Sequence, residues 1–335
     1  MKVLVNCPLP FALAHGGQQI QIERTLDALR TEGVEVEPVR WWEEAQTGDL
    51  IHFFGRMPAG HIQLAHQKKL PVVIGELLTG AGSRSHSQLR LQKMISRTVE
   101  RFAPRNFSAA FNWESYRLAD AVIANTSWES HLMTYLFDAP PERIHIVPNG
   151  VEDVFLNSSI AERGKWLVCT ATITNRKRVL ELAQAAIAAQ TPVWIIGKAY
   201  ADTDPYAQQF FALARQHPQL IRYEGAISDR TQLAKIYREA RGFVLLSTME
   251  TRSLSAEEAA ACACPLFLSD LPWAHATFGE HAVYCPIAPP GQTSGHLKIF
   301  YEKAPGLKAP PKPLTWQEVA QQLKTIYAGL LKPAR

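Results

Sequence analysis

The chain has 335 residues, 47% of them apolar and 20% charged, with a formal net charge of +4. That length suits two domains of roughly 150 residues each, and the composition is that of a soluble globular protein. No apolar run approaches the roughly 20 residues needed to span a bilayer, the five cysteines (Cys7, Cys169, Cys262, Cys264 and Cys285) form neither a CxxC pair nor an even disulfide framework, and the modest charge fits an anionic substrate or acidic lipid headgroups without demanding either; no nucleic-acid partner is expected.

The opening residues are too short and proline-rich for a signal peptide and read as a first strand. A reduced, cytoplasmic setting is expected, with the cysteines as small core residues. Residues 2–6 read as a strand and 16–31 as a helix with Ile20, Ile22, Leu26 and Leu29 toward one side. Strands follow at 34–39 and 49–54, a helix at 58–69, a strand at 71–74, then strand 121–125, helix 128–137 and strand 143–147. This alternation predicts a parallel sheet covered by helices.

The rhythm restarts at 165–171 (strand), 178–189 (helix), 192–196 (strand), 204–217 (helix) and 220–224 (strand). It continues through a helix at 229–240 capped by Asp229 or Ser228, a strand at 242–246, a short helix near 255–261 and a strand at 265–268. Asn157, Ser158 and Ser159 suggest a linker between the halves, and seven prolines over 286–313 read as a long surface loop. Residues 316–331 form a closing helix, with Thr315 and Glu318 as a capping box.

Chemistry concentrates in residues 246–270, LSTMETRSLSAEEAAACACPLFLSD. Glu250 lies in the loop after a strand, where open α/β sheets bind ligands. Glu258 lies about one turn into the next helix, whose start at Ser253, Leu254 and Ser255 offers backbone N–H groups to an anion. The plainer reading is two solvated glutamates that suit the helix dipole. Three cations, Arg176, Lys177 and Arg178, crowd another helix start in TITNRKR, an unfavourable place without an anion nearby; the plainer reading is a hydrated basic turn. His15-Gly16-Gly17 follows the first strand and lets backbone approach a ligand. Gly80-Ala81-Gly82-Ser83 reads as a mobile loop over an acceptor.

Residues 84–105 carry Arg84, Arg90, Lys93, Arg97, Arg101 and Arg105 against one acid, Glu100, with Leu91, Ile95, Val99 and Phe102 at helical spacing. This is either a surface helix with one buried face or a surface for an anionic membrane or acceptor. The Asp202-Thr203-Asp204 triplet reads as helix capping rather than a metal site, and neither GxGxxG nor GxSxG occurs.

The 246–270 segment resembles the E-x7-E signature of retaining glycosyltransferase family 4. Glu250 and Glu258 match its glutamates, and Ala259, Pro265, Ser269 and Asp270 fall where its pattern places them. Residues 118–151, with ADAVIANT and ERIHIVPNGV, resemble that family's passage out of its N-terminal domain. The resemblance implies the GT-B fold, an α/β architecture of two Rossmann-like doubly wound domains facing across a cleft. It divides the chain into an acceptor-side domain at 1–155, a nucleotide-sugar domain at 156–314, and a helix at 315–335 crossing back. It further implies retaining, metal-independent hexosyl transfer from a UDP- or GDP-sugar to a glycan, lipid-linked or small-molecule hydroxyl, with no other cofactor; the cysteines and the basic stretch 84–105 place the chain in the cytoplasm or peripherally at the inner membrane face. Glu250 would lie by the donor sugar, Glu258 on the ribose, Gly16 and Gly17 by the diphosphate, and Lys177 on the leaving phosphates.

Two departures stand out. Thr172 occupies the family's arginine position, with Arg176 or Arg178 within reach to replace it, and the strand-end histidine is missing, with Glu76 or His86 as substitutes. They leave room for a weakened nucleotide-sugar-binding protein or an epimerase on the same fold.

Overall fold

The structure, a computed structural model, describes residues 1–8, 11, 16–104, 110–156 and 162–332; His15, Arg105 and 157–159 lie outside them. The chain divides into two compact units, Met1–Gly150 with Leu314–Arg335, and Val151–Pro313.

The first unit holds six parallel strands: β1 (Lys2–Asn6), β2 (Glu35–Pro38), β3 (Leu50–Phe53), β4 (Val72–Gly75), β5 (Ala121–Ala124) and β6 (Ile144–Ile146), ordered β2-β1-β3-β4-β5-β6. The sequence reverses direction across the sheet between β1 and β3. Residues of β3 are buried on both faces, so LIHF shows no alternation. Edge strand β2 is partly exposed and tolerates Pro38. Helices α1 (Gly17–Thr31), α2 (Ala59–Gln67), α3 (His86–Phe102) and α4 (Ser127–Phe137) join the strands. Where 80–83 were expected to form a mobile loop, Thr79–Gly82 makes one helical turn, because the Gly82 nitrogen donates back to the Leu78 carbonyl at 2.6 Å.

The second unit repeats the plan with β7 (Leu167–Thr170), β8 (Val193–Ile196), β9 (Ile221–Tyr223), β10 (Gly242–Leu245), β11 (Leu266–Ser269) and β12 (Ala282–Cys285), ordered β12-β11-β10-β7-β8-β9 and all parallel. Its helices are α5 (Val179–Ala188), α6 (Pro205–Gln216), α7 (Arg230–Glu239), α8 (Leu254–Ala261), α9 (Pro272–Phe278) and α10 (Pro290–Lys303). Asp204 caps α6 by accepting from the Tyr206 nitrogen at 2.9 Å, the capping read for the Asp202–Asp204 triplet.

Helix α10 corrects the long loop expected over 286–313. Pro290 stands at the first helical position, where a missing N–H costs nothing. Leu297 and Phe300, three residues apart, turn inward; Phe300 stacks on Phe267 with centroids 5.0 Å apart. The prolines bracket a helix rather than preclude one.

After Pro313 the chain rejoins the first unit as α11 (Trp316–Leu330), which packs on α1. Its capping box forms, with Thr315 and Glu318 exchanging side-chain and backbone bonds. Two contacts seat it. A Cβ at Gly150 would stand 2.5 Å from the Trp316 nitrogen, so only glycine lets the backbones meet. His52, wholly buried on β3, places Nδ1 2.6 Å from the Tyr327 hydroxyl. Burial pushes the His52 pKa down to about 3.

Two outcomes follow for unfolding measurements. Gly150→Ala is expected to destabilise by about 1–3 kcal/mol through backbone overlap. Gly329→Ala, in α11 with open space around it, should be neutral or stabilising by up to about 1 kcal/mol. For His52 the folded pKa lies below the ordinary 6.5, so the unfolded chain takes up the proton first and stability is lost as pH falls from about 6.5 toward 3. Wild type should lose about 1.4 kcal/mol per pH unit more than His52→Gln between about pH 6 and 4.

Candidate functional site

In an open parallel sheet, ligands gather beyond the carboxyl ends of strands where the strand order reverses. In the second unit that point lies between neighbours β7 and β10. The chain leaving β7 turns through Asn175–Lys177 as one turn of 3-10 helix; the chain leaving β10 runs through Ser247–Ser253 into α8. The two loops are tied by the Thr248 nitrogen donating to the Arg176 carbonyl at 2.8 Å.

Glu250 sits among them, buried. Its Oε1 accepts from the Lys177 ammonium, from Arg176 at 3.0 Å and from the Ser247 hydroxyl at 2.6 Å. Arg176 also donates to the Met249 carbonyl at 2.7 Å. A lysine has three donors and an arginine five, so the carboxylate fixes both cations while using few of their N–H groups. Of the two arginines open for the role at Thr172, the structure brings Arg176 to Glu250. Arg178 adopts a left-handed backbone at φ 53° and donates instead to the Ala288 carbonyl.

Ser253 caps α8, its hydroxyl accepting from the Ala256 nitrogen at 3.3 Å. Leu254 and Ser255 open the helix, and Glu258 lies on its second turn, buried. Glu258 Oε1 is met by Arg230, whose Nε also donates to Glu152 at 3.1 Å and whose guanidinium lies 4.7 Å over the Phe155 ring. Burial pushes Glu258 up to about 7, further than Arg230 pulls it down. Neighbouring Glu257 is more deeply buried and paired with Arg252 at 2.5 Å; burial raises its pKa too.

Arg230 and Ser247 escaped the sequence reading. Arg230 carried a signal: it is a cation at the first position of α7, against the helix dipole. Ser247 carried none.

In the first unit, Gly16 is the N-cap of α1, which begins at Gly17. Its φ of 166° is ordinary extended backbone, and a Cβ there would meet nothing within 4 Å. Glu76 follows β4 and accepts from Arg56 at 2.5 Å and from the buried Tyr116 hydroxyl, inside an ion pair stacked on Phe137. His86 packs edge-on against Trp128. The histidine that does share a small cavity of about 40 Å³ with Glu76, Gln18, Gln21 and Asn125 is His52, one strand away. It was invisible in sequence as an interior strand residue. Among the described residues, no three His, Cys, Asp or Glu side chains gather as a metal site.

Residues 38–154 match the profile of Glycosyltransferase Family 4. The match lies outside the Glu250–Glu258 segment. No curated protein matches the chain by sequence. Among solved structures, HepE of Anabaena in complex with UDP is 14% identical, with 98% of each chain covered and a TM-score of 0.68. Sucrose-phosphate synthase from Thermosynechococcus elongatus is 16% identical over 98% of each chain, TM-score 0.68. A glycosyltransferase from Rickettsia africae is 11% identical over 99% of each chain, TM-score 0.66. At these identities the likeness is one of fold. Two six-stranded parallel α/β units and the likeness to these structures give the chain the GT-B fold, and its residues 38–154 resemble Glycosyltransferase Family 4.

Proposed function

We propose that the chain moves a hexose from a nucleoside-diphosphate sugar to an acceptor hydroxyl with retention at the anomeric carbon. In this reading the unit Val151–Pro313 holds the donor and the unit Met1–Gly150 with Leu314–Arg335 serves the acceptor. The observation that carries it is the convergence of Lys177 and Arg176 on Glu250 at the β7–β10 switch point, beside the start of α8. HepE, which shares the fold, has been crystallised with UDP and with UDP-glucose, which favours a UDP-sugar here; a GDP-sugar is the second choice. Glycans and lipid-linked sugars are the favoured acceptors.

The chemistry follows from charge. As the bond from the anomeric carbon to the phosphate oxygen breaks, negative charge grows on the departing diphosphate and positive charge on the sugar ring. Lys177 and Arg176, with the N-terminal turn of α8 at Leu254 and Ser255, stabilise the phosphates without needing a metal. Glu250 holds the two cations against their mutual repulsion and orients donor hydroxyls. The acceptor oxygen bonds to the same face the phosphate leaves, and its proton passes to the departing phosphate oxygen. Glu258 accepts from the ribose hydroxyls, which requires Arg230 to share it. In the first unit, Gly16 and Gly17 form an open helix start suited to an anion, and Glu76 orients substrate through the oxygen that Arg56 and Tyr116 do not use. Arg176 in contact with Glu250 supports the full reaction over a binding-only role, because the cation missing at Thr172 is supplied from the same loop.

Calorimetric titration with UDP-glucose and a GDP-hexose, in EDTA, tests this. Saturable binding of one donor is expected, about 10- to 100-fold weaker in Glu258→Gln through loss of charge-assisted hydrogen bonds. Affinity should rise as pH increases through about 7, where Glu258 ionises, and this dependence should vanish in the variant. Lys177→Ala should lower the rate of diphosphate release by about 100-fold or more, with a smaller effect on binding. Gly16→Val should leave stability unchanged and weaken donor turnover. A folded protein that binds no nucleotide sugar sinks the proposal.

A further inference from the structure

Helix α3 does not turn inward the face its sequence offered. Its buried residues are Leu89 and Ser96. Leu91 is 53% exposed, Met94 60%, Ile95 52% and Phe102 75%. At helical spacing these four form one stripe along the helix. Single exposed apolar side chains are ordinary, but a contiguous stripe marks an interaction surface.

Arg90, Arg97 and Arg101 recur at the same spacing along one flank of that stripe. Arg97 is paired with Asp138 at 2.5 Å, and the sole acid of the helix, Glu100, is engaged by Arg117 at 3.2 Å. Arg101 lies 5.5 Å from the Phe102 ring, joining the charged and apolar rows. A capping box at Ser85 and Gln88 fixes the helix start, and contact with α4 seats the helix on the unit.

We propose that this face of α3 docks on a lipid bilayer bearing anionic headgroups. The helix lies in the interface plane, with Leu91, Met94, Ile95 and Phe102 at the acyl boundary and Arg90 and Arg101 on lipid phosphates. Charge selects this occupant. A second copy packed symmetrically would bring the same arginine row against itself, whereas an anionic surface is attracted to cations and takes an apolar stripe beside them. No described helix is long and apolar enough to cross a membrane, so the contact is peripheral. The docking is independent of the donor reading, and its test contains no nucleotide sugar.

The test is flotation of the full chain with vesicles of phosphatidylcholine alone or mixed with phosphatidylglycerol, at low and high salt, alongside sedimentation of the protein without lipid. Binding is expected to the anionic vesicles, weakening as salt screens the charges. Arg90→Ala and Arg101→Ala should each weaken it roughly fivefold. Ile95→Asp should weaken it about tenfold or more, with circular dichroism and thermal midpoint unchanged because the residue is exposed. The proposal is overturned by no flotation at low salt, by equal binding to neutral vesicles, by an unaffected Ile95→Asp, or by a concentration-dependent dimer that Ile95→Asp abolishes.

Discussion

The Lys177–Glu250 ion pair is the constraint on which the second unit's site depends. β7 and β10 are neighbours in the sheet, yet the chain leaves one toward β8 and the other toward β11, so their loops diverge. A carboxylate buried beside two cations and the Ser247 hydroxyl draws them together. Such a pair is costly to desolvate and weak evidence for stability. In the proposed reaction its value lies in holding positive charge in a fixed place before the donor arrives, which is what electrostatic preorganisation requires.

Glu258 solves a related problem differently. It is buried on a helix crowded with acid, beside Glu257 and near Glu152, and Arg230 compensates only in part, so its proton affinity climbs to about 7. Glu250, with two cations and a hydroxyl on one oxygen, sits in the opposite kind of surroundings. Two glutamates eight residues apart thus have different surroundings because one lies within a loop between cations and the other is buried on a helix with a single arginine against it.

Much of this was legible in the residues. The alternation of apolar runs and amphipathic stretches carried both parallel sheets, and the crowding of cations in TITNRKR marked a place that needs negative charge; in the structure Arg176 and Lys177 meet Glu250 there. What was hidden had physical causes. Prolines at 289 and 290 hid α10, since proline both starts and stops helices. His52 lay inside a strand buried on both faces, where pattern carries no role for a single polar residue. Period alone showed that α3 is amphipathic but not which side faces the unit; Leu89 and Ser96 decided that through contacts made only in three dimensions.

The division of the chain has a consequence for biogenesis. The second unit is continuous, Val151–Pro313, but the first is completed only by residues from Leu314 onward. During translation, residues 1–150 emerge first and must wait while the whole second unit is made. Until then the groove that receives Trp316, Leu323 and Tyr327 stays open, and His52 lacks a partner 275 residues away. The later-made unit can therefore finish folding before the earlier one, the reverse of the usual N-to-C order. For the interval between, the nascent chain presents an uncovered apolar groove, the kind of surface that chaperones bind.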